Sequence, residues 1–111
     1  MGFIGYFNVS NKLNFWRKFM SVSNMRGKSG NFIANQFIIL DDAGNRFFQS
    51  YNSIIVKIGN NGKIYLDETY WDYSKTTGKY RNIFLCESRK ETEAKIKSGE
   101  YILTNLNQGS K

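Results

Sequence analysis

Histidine and proline are absent from this 111-residue chain, and cysteine occurs once, at Cys86. Without histidine there is no Ser-His-Asp or Cys-His nucleophile system, no imidazole acid/base and no His-ligated metal. A single cysteine excludes a disulfide within the chain and every multi-cysteine zinc site. It also fits a reducing compartment, so a cytoplasmic location is expected. The missing proline leaves no rigid linker to divide the chain. No run approaches the roughly 18 apolar residues that a membrane helix needs. The apolar start, Met1-Gly2-Phe3-Ile4-Gly5-Tyr6-Phe7, is broken by Asn8, Asn11 and Lys12, and no small-residue cleavage site follows. Neither a membrane partner nor a secretory leader is expected. Tyr6 stands where a myristoylation signal needs Ser or Thr.

Aromatic residues and positive charge are abundant. Nine Phe, seven Tyr and two Trp supply enough apolar area for one small core. Sixteen Lys and Arg oppose nine Asp and Glu, for a net charge of +7. The charge is laid out in blocks: residues 1–40 carry +5 with no acid, 41–74 carry −2, and 75–111 carry +4. A basic–acidic–basic chain can fold so that its outer blocks share one face. Such a face attracts phosphates or an acidic protein surface, and its binding weakens with salt.

Period-two patterning and turn chemistry predict strands over the middle of the chain. Residues 1–16 read as an aromatic arm, 17–107 as one α+β domain and 108–111 as a tail. The segment from Asn8 to Met20 has two readings. A short helix would place Phe15, Trp16 and Phe19 on one side, whereas a strand would begin at Arg17 and run to Asn24. Turn formers at 25–31 lead into the β-rich run Phe32 to Leu40. Asp41-Asp42-Ala43-Gly44-Asn45 supplies hairpin chemistry, and Arg46 to Tyr51 returns. Ser53 to Ile58, the turn Asn60-Asn61-Gly62 and Lys63 to Leu66 complete a meander.

After Leu66 the period changes. Thr76 or Thr77 is expected to cap a helix with Tyr80, Ile83 and Phe84 on its apolar side, a hairpin at Thr76-Thr77-Gly78 being the alternative. Ser88-Arg89-Lys90-Glu91 matches a capping box, its helix runs through Lys97, and Gly99 suits the left-handed C-cap. Tyr101-Ile102-Leu103 reads as a closing strand. The expected fold is an antiparallel meander of four or five strands with one or two short helices on one face.

Four candidate sites stand out. The stretch from Asp67 to Asn82 is dense in rings and charge. There Trp71, Tyr73 and Tyr80 can stack on bases while Lys75, Lys79 and Arg81 hold phosphates, as in single-strand binders. The same Trp71 and Tyr73 can equally serve the sheet edge as core. A second basic group comprises Arg17, Lys18, Arg26 and Lys28. Asp41-Asp42 and Asp67-Glu68, with Asp72, are the acids that a Mg²⁺ site would draw on, although Asp in a hairpin is ordinary turn chemistry. Gly27-Lys28-Ser29 lacks the upstream glycine of a P-loop, since residue 22 is Val, but its N–H groups can cradle one phosphate. Cys86, with no histidine partner, reads as a buried or half-buried inert thiol. The N-terminal rings Phe3, Tyr6, Phe7, Phe15, Trp16 and Phe19 either finish the core or form a contact between copies, a homodimer. No cofactor is expected and no catalytic residue is assigned.

At Gln36-Phe37-Ile38-Ile39, Phe48-Gln49-Ser50-Tyr51-Asn52-Ser53-Ile54-Ile55, Trp71-Asp72-Tyr73-Ser74-Lys75-Thr76-Thr77 and Lys97-Ser98-Gly99-Glu100-Tyr101, the chain resembles small proteins carried by phages and conjugative plasmids of Gram-positive bacteria. Some small proteins of those elements are anti-CRISPR inhibitors of the single-effector, RNA-guided DNA nuclease. The resemblance implies a non-enzymatic host-defence antagonist that acts by binding the nuclease or its guide RNA, blocking guide loading or assembly. Charge narrows the mode, because a +7 protein does not mimic duplex DNA and should compete for RNA or dock on acid. A stand-alone nucleic-acid-binding accessory protein is the second expectation, and a small Mg²⁺ nuclease the third.

Overall fold

Alternation of apolar and polar residues from Phe32 to Leu66, broken at glycine- and asparagine-bearing turns, produces the sheet on which the molecule is built. The computed structural model describes residues 20–107. The strands are β1 (Met20–Arg26), β2 (Phe32–Asp41), β3 (Arg46–Ser50), β4 (Ser53–Ile58) and β5 (Ile64–Asp67). Helices α1 (Lys75–Leu85) and α2 (Arg89–Ser98) follow, and β6 (Tyr101–Thr104) closes the fold. One sheet holds all six strands in chain order, β1 to β6.

The first five strands pair antiparallel, but β6 joins β5 in parallel, from Ile64 beside Tyr101 to Asp67 beside Thr104. The α+β class and the helices are as the sequence predicts; the sheet has six strands and is mixed. The cause is the crossover. Chain leaving β5 passes through both helices before re-entering the sheet, and parallel pairing requires such a long connection. Met20, the first described residue, already lies in β1, which excludes a helix continuing through Met20. The aromatic arm, Arg17, Lys18 and the tail 108–111 lie outside the described residues.

Turn chemistry fixes the meander. Asp41 accepts hydrogen bonds from the backbone of Ala43 and Asn45 and from the Asn45 side chain, each at 2.9 Å. Gly44 takes φ +91°, a conformation that disfavours any side chain. Those hydrogen bonds outweigh burial and hold the Asp41 carboxyl below its ordinary range.

Cross-strand partners share a face, so the register sorts the side chains. Met25, Phe48, Val56, Leu66 and Tyr101 form the helix-side core with Ile55 and with Phe84 of α1. The Phe48 and Phe84 rings stack at 5.7 Å. The opposite face presents Val22, Phe37, Ile39, Phe47, Ile54, Tyr65 and Ile102, with Asn24, Gln49 and Lys57 among them.

Candidate nucleic-acid interface

Helix α1 opens at Ser74, whose hydroxyl accepts the Thr77 backbone N–H at 3.1 Å. This cap lies two residues before the predicted Thr76. An extended Ser74 can turn its oxygen onto the third helical N–H, which frees Thr77 to bury its own hydroxyl 3.0 Å from Ser50. The first turn carries no acid and begins with Lys75, so the positive end of the helix dipole is unopposed.

The helix is also rotated from its predicted face. Thr77, Gly78, Arg81 and Phe84 are buried, while Ile83 is 52% exposed. Arg81 explains the rotation. Its side chain is 1% exposed, and its guanidinium donates to the Trp71 carbonyl (2.6 Å), the Asp72 carboxylate (3.2 Å) and the Asn82 side chain (2.9 Å). A buried guanidinium must be paired, and helix α1 turns to deliver it. Arg81 is therefore a structural cation within the fold and not a surface group free to hold phosphate.

Asp72 ties the two helices together. Arg89, the first residue of α2, reaches its second oxygen at 2.7 Å and also pairs with Glu93 at 3.2 Å. The Arg89 hydrogen bond is the main influence holding the Asp72 carboxyl below its ordinary range, with Arg81 adding to it against partial burial. The guanidiniums of Arg81 and Arg89 lie 5.3 and 5.5 Å from the Trp71 ring centre. Trp71 is half-buried and packs on the core cluster. Of its two predicted roles, the structural one is occupied.

The exposed cations converge elsewhere. Arg26, Lys28, Lys79, Tyr80 and Ile83 line a cavity of about 600 Å³ between the β1–β2 turn and α1. Next to it, Lys75, Lys79, Asn82 and Arg89 border a cleft of about 470 Å³ with Asp72 and Arg81. Lys79 lines both. Two basic blocks separated by some fifty residues of sequence thus meet across one helix, Arg26 and Lys28 on one side and Lys75 on the other. Rings stand among them: Arg26 lies 4.3 Å from the centre of the Phe32 ring, which is 63% exposed, and Lys79 lies 5.2 Å from that of Tyr80. Neither Phe32 nor Arg89 was among the site residues expected from sequence. The capping box marked Arg89 as helical, and only the fold brings it to Asp72.

Tyr73 belongs to a different concavity. It is 69% exposed and lines a pocket of about 300 Å³ with Tyr51, Tyr70, Ser50 and Thr77. Cys86 is exposed, contrary to expectation. It forms the C-cap of α1 at φ +58°, where the chain turns out of the helix, so its thiol leaves the core side. The acids do not converge: among the described residues no three His, Cys, Asp or Glu side chains are placed to share an ion. Asp67 is spent on backbone, accepting from Thr69, Tyr70 and Leu106. Glu87 accepts from Lys95 (2.7 Å), Tyr101 (2.9 Å) and Thr92 (2.6 Å), which together outweigh its burial and keep its carboxyl low.

The molecule is thus an α+β domain with a ring-bearing basic cleft along α1. The DUF8033 family, a family of unknown function, matches residues 20–101, and the chain belongs to it. No curated protein and no solved structure matches the chain. Among the described residues no helix is long and apolar enough to cross a membrane.

Proposed function

We propose that the protein is a non-enzymatic binding protein that holds single-stranded RNA in the cleft along α1. The observation that carries this reading is the meeting of Arg26 and Lys28 with Lys79 and Lys75, beside the rings of Phe32 and Tyr80. Phosphates pair with such cations, and unstacked bases lie on exposed rings without regard to sequence. The resemblance to proteins of phages and plasmids supplies a finer reading: the RNA is the guide of a single-effector nuclease, and occupation of the cleft obstructs guide loading or assembly.

The test is fluorescence anisotropy with a labelled single-stranded RNA of about 20 nucleotides. Four phosphate contacts give a log–log salt slope near −2.8, so affinity should fall about 50-fold between about 50 and 200 mM salt. Lys75→Glu with Lys79→Glu should weaken binding at least tenfold while the circular dichroism spectrum is kept. Unchanged affinity in that variant would refute the cleft. Failure to bind RNA, together with co-migration with the nuclease in gel filtration, would favour an acidic protein surface as the partner instead.

A further inference from the structure

The sheet has two mostly apolar faces, and the described helices cover one. Helices α1 and α2 pack on the side of Phe48, Leu66 and Tyr101. On the other side, Ile39 of β2 sits between its cross-strand neighbours Val22 and Phe47. Ile39 is only 7% exposed, as low as the core, yet it is outside the core cluster. Phe37, Phe47, Ile54 and Tyr65 around it are likewise no more than half-exposed. Among the described residues no layer lies on this face. Monomeric proteins rarely leave a contiguous apolar patch beyond a few hundred square ångströms, and each ring here brings on the order of 150–250 Å².

We propose that the chain's own N-terminal segment, residues 1–19, lies across this helix-free face and completes a third layer. The attachment point favours it. The segment runs directly into Met20, the first residue of edge strand β1, so it emerges at the border of the surface it would cover. Its length fits: 19 residues reach about 28 Å as a helix, against about 24 Å across six strands. Its composition also fits, with Phe3, Tyr6, Phe7, Phe15, Trp16 and Phe19 supplying rings far beyond the needs of a solvated arm. A tethered segment meets the face at an effective concentration in the millimolar range, ahead of any free second copy. With this side closed, partners approach from the helix side, where the basic cleft lies. This inference does not depend on RNA binding.

Paramagnetic relaxation in the full-length protein tests it. Cys86→Ser with Ser10→Cys leaves one thiol for a nitroxide label. The label should broaden the methyl signals of Ile39, Ile54 and Ile102, which lose roughly half their intensity or more, while Ile96 on α2, a layer further away, keeps more of its own. A mixture of isotope-labelled chain and nitroxide-bearing unlabelled chain should show no broadening. Broadening in that mixture would assign the face to a second copy and overturn the proposal, as would broadening confined to helix-side methyls or none at all.

Discussion

Replacing Asp72 by Asn tests whether Trp71, Asp72 and Arg81 hold the fold together or serve a ligand. The substitution keeps the shape but removes the counter-charge from a guanidinium that is 1% exposed, and it severs the 2.7 Å contact to Arg89. Breaking a buried pair so that one charge remains costs about 3–5 kcal/mol. Asp72 is itself 31% exposed, and Arg81 keeps the Trp71 carbonyl and Asn82, so the cost falls below that range, at about 2–3 kcal/mol. Urea unfolding followed by fluorescence should show a lowered midpoint at unchanged slope. Thermal scans should show a fall of roughly 4–8 °C per kcal/mol. Adding Arg81→Met removes the stranded charge along with its partner, so the double variant should be no less stable than Asp72→Asn alone. If the two losses instead add, the buried-charge account is wrong. If Arg81→Met alone abolishes RNA binding without loss of stability, Arg81 is a ligand-contacting group after all.

Two further outcomes follow from the same contacts. Asp72 and Glu87 titrate below their ordinary values of 3.8 and 4.5 in the folded state, so the unfolded chain binds more protons through that range. Stability should hold above about pH 4.5 and decline as pH falls below it; Asp72→Asn with Glu87→Gln should flatten that decline in urea titrations at stepped pH. The exposed Cys86 should react with a chromogenic disulfide reagent in the native protein, one thiol per chain, whereas reaction only after unfolding would contradict its position at the end of α1.

What sequence reveals here depends on whether a feature is local. The β2–β5 meander was legible because alternation and Asp/Asn/Gly turns act over a few residues. The second helix was legible because Ser88 and Glu91 close a capping box on each other, and Gly99 ends it at φ +86°. The direction of β6 was not legible, since Tyr101-Ile102-Leu103 has no alternation and its pairing is set by the crossover before it. The rotation of α1 was hidden for a related reason. Tyr80, Ile83 and Phe84 form the apolar stripe in sequence, but the demand of a buried Arg81 for Trp71 and Asp72, ten and nine residues upstream, outranks it. In the candidate site, the basic blocks were visible as charge runs. Which cations remain free depended on who pairs with whom.

That pairing is what gives the net charge a location. Six of the nine acids are drawn into the fold: Asp41 closes a hairpin, Asp67 holds the loop after β5, Glu87 anchors α2 to Tyr101, Glu91 completes a cap, and Asp72 and Glu93 engage arginines. Asp72, Glu87 and Glu93 are paired with cations, while Asp41, Asp67 and Glu91 accept from neutral N–H groups. Lys28, Lys75 and Lys79 form no ion pair among the described residues, and the open end of the α1 dipole adds to their field. An excess of +7 spread evenly would serve solubility alone. Here most of the negative charge is used internally while cations gather on both sides of one helix, and the summed field of those cations is what the proposed RNA binding would draw on.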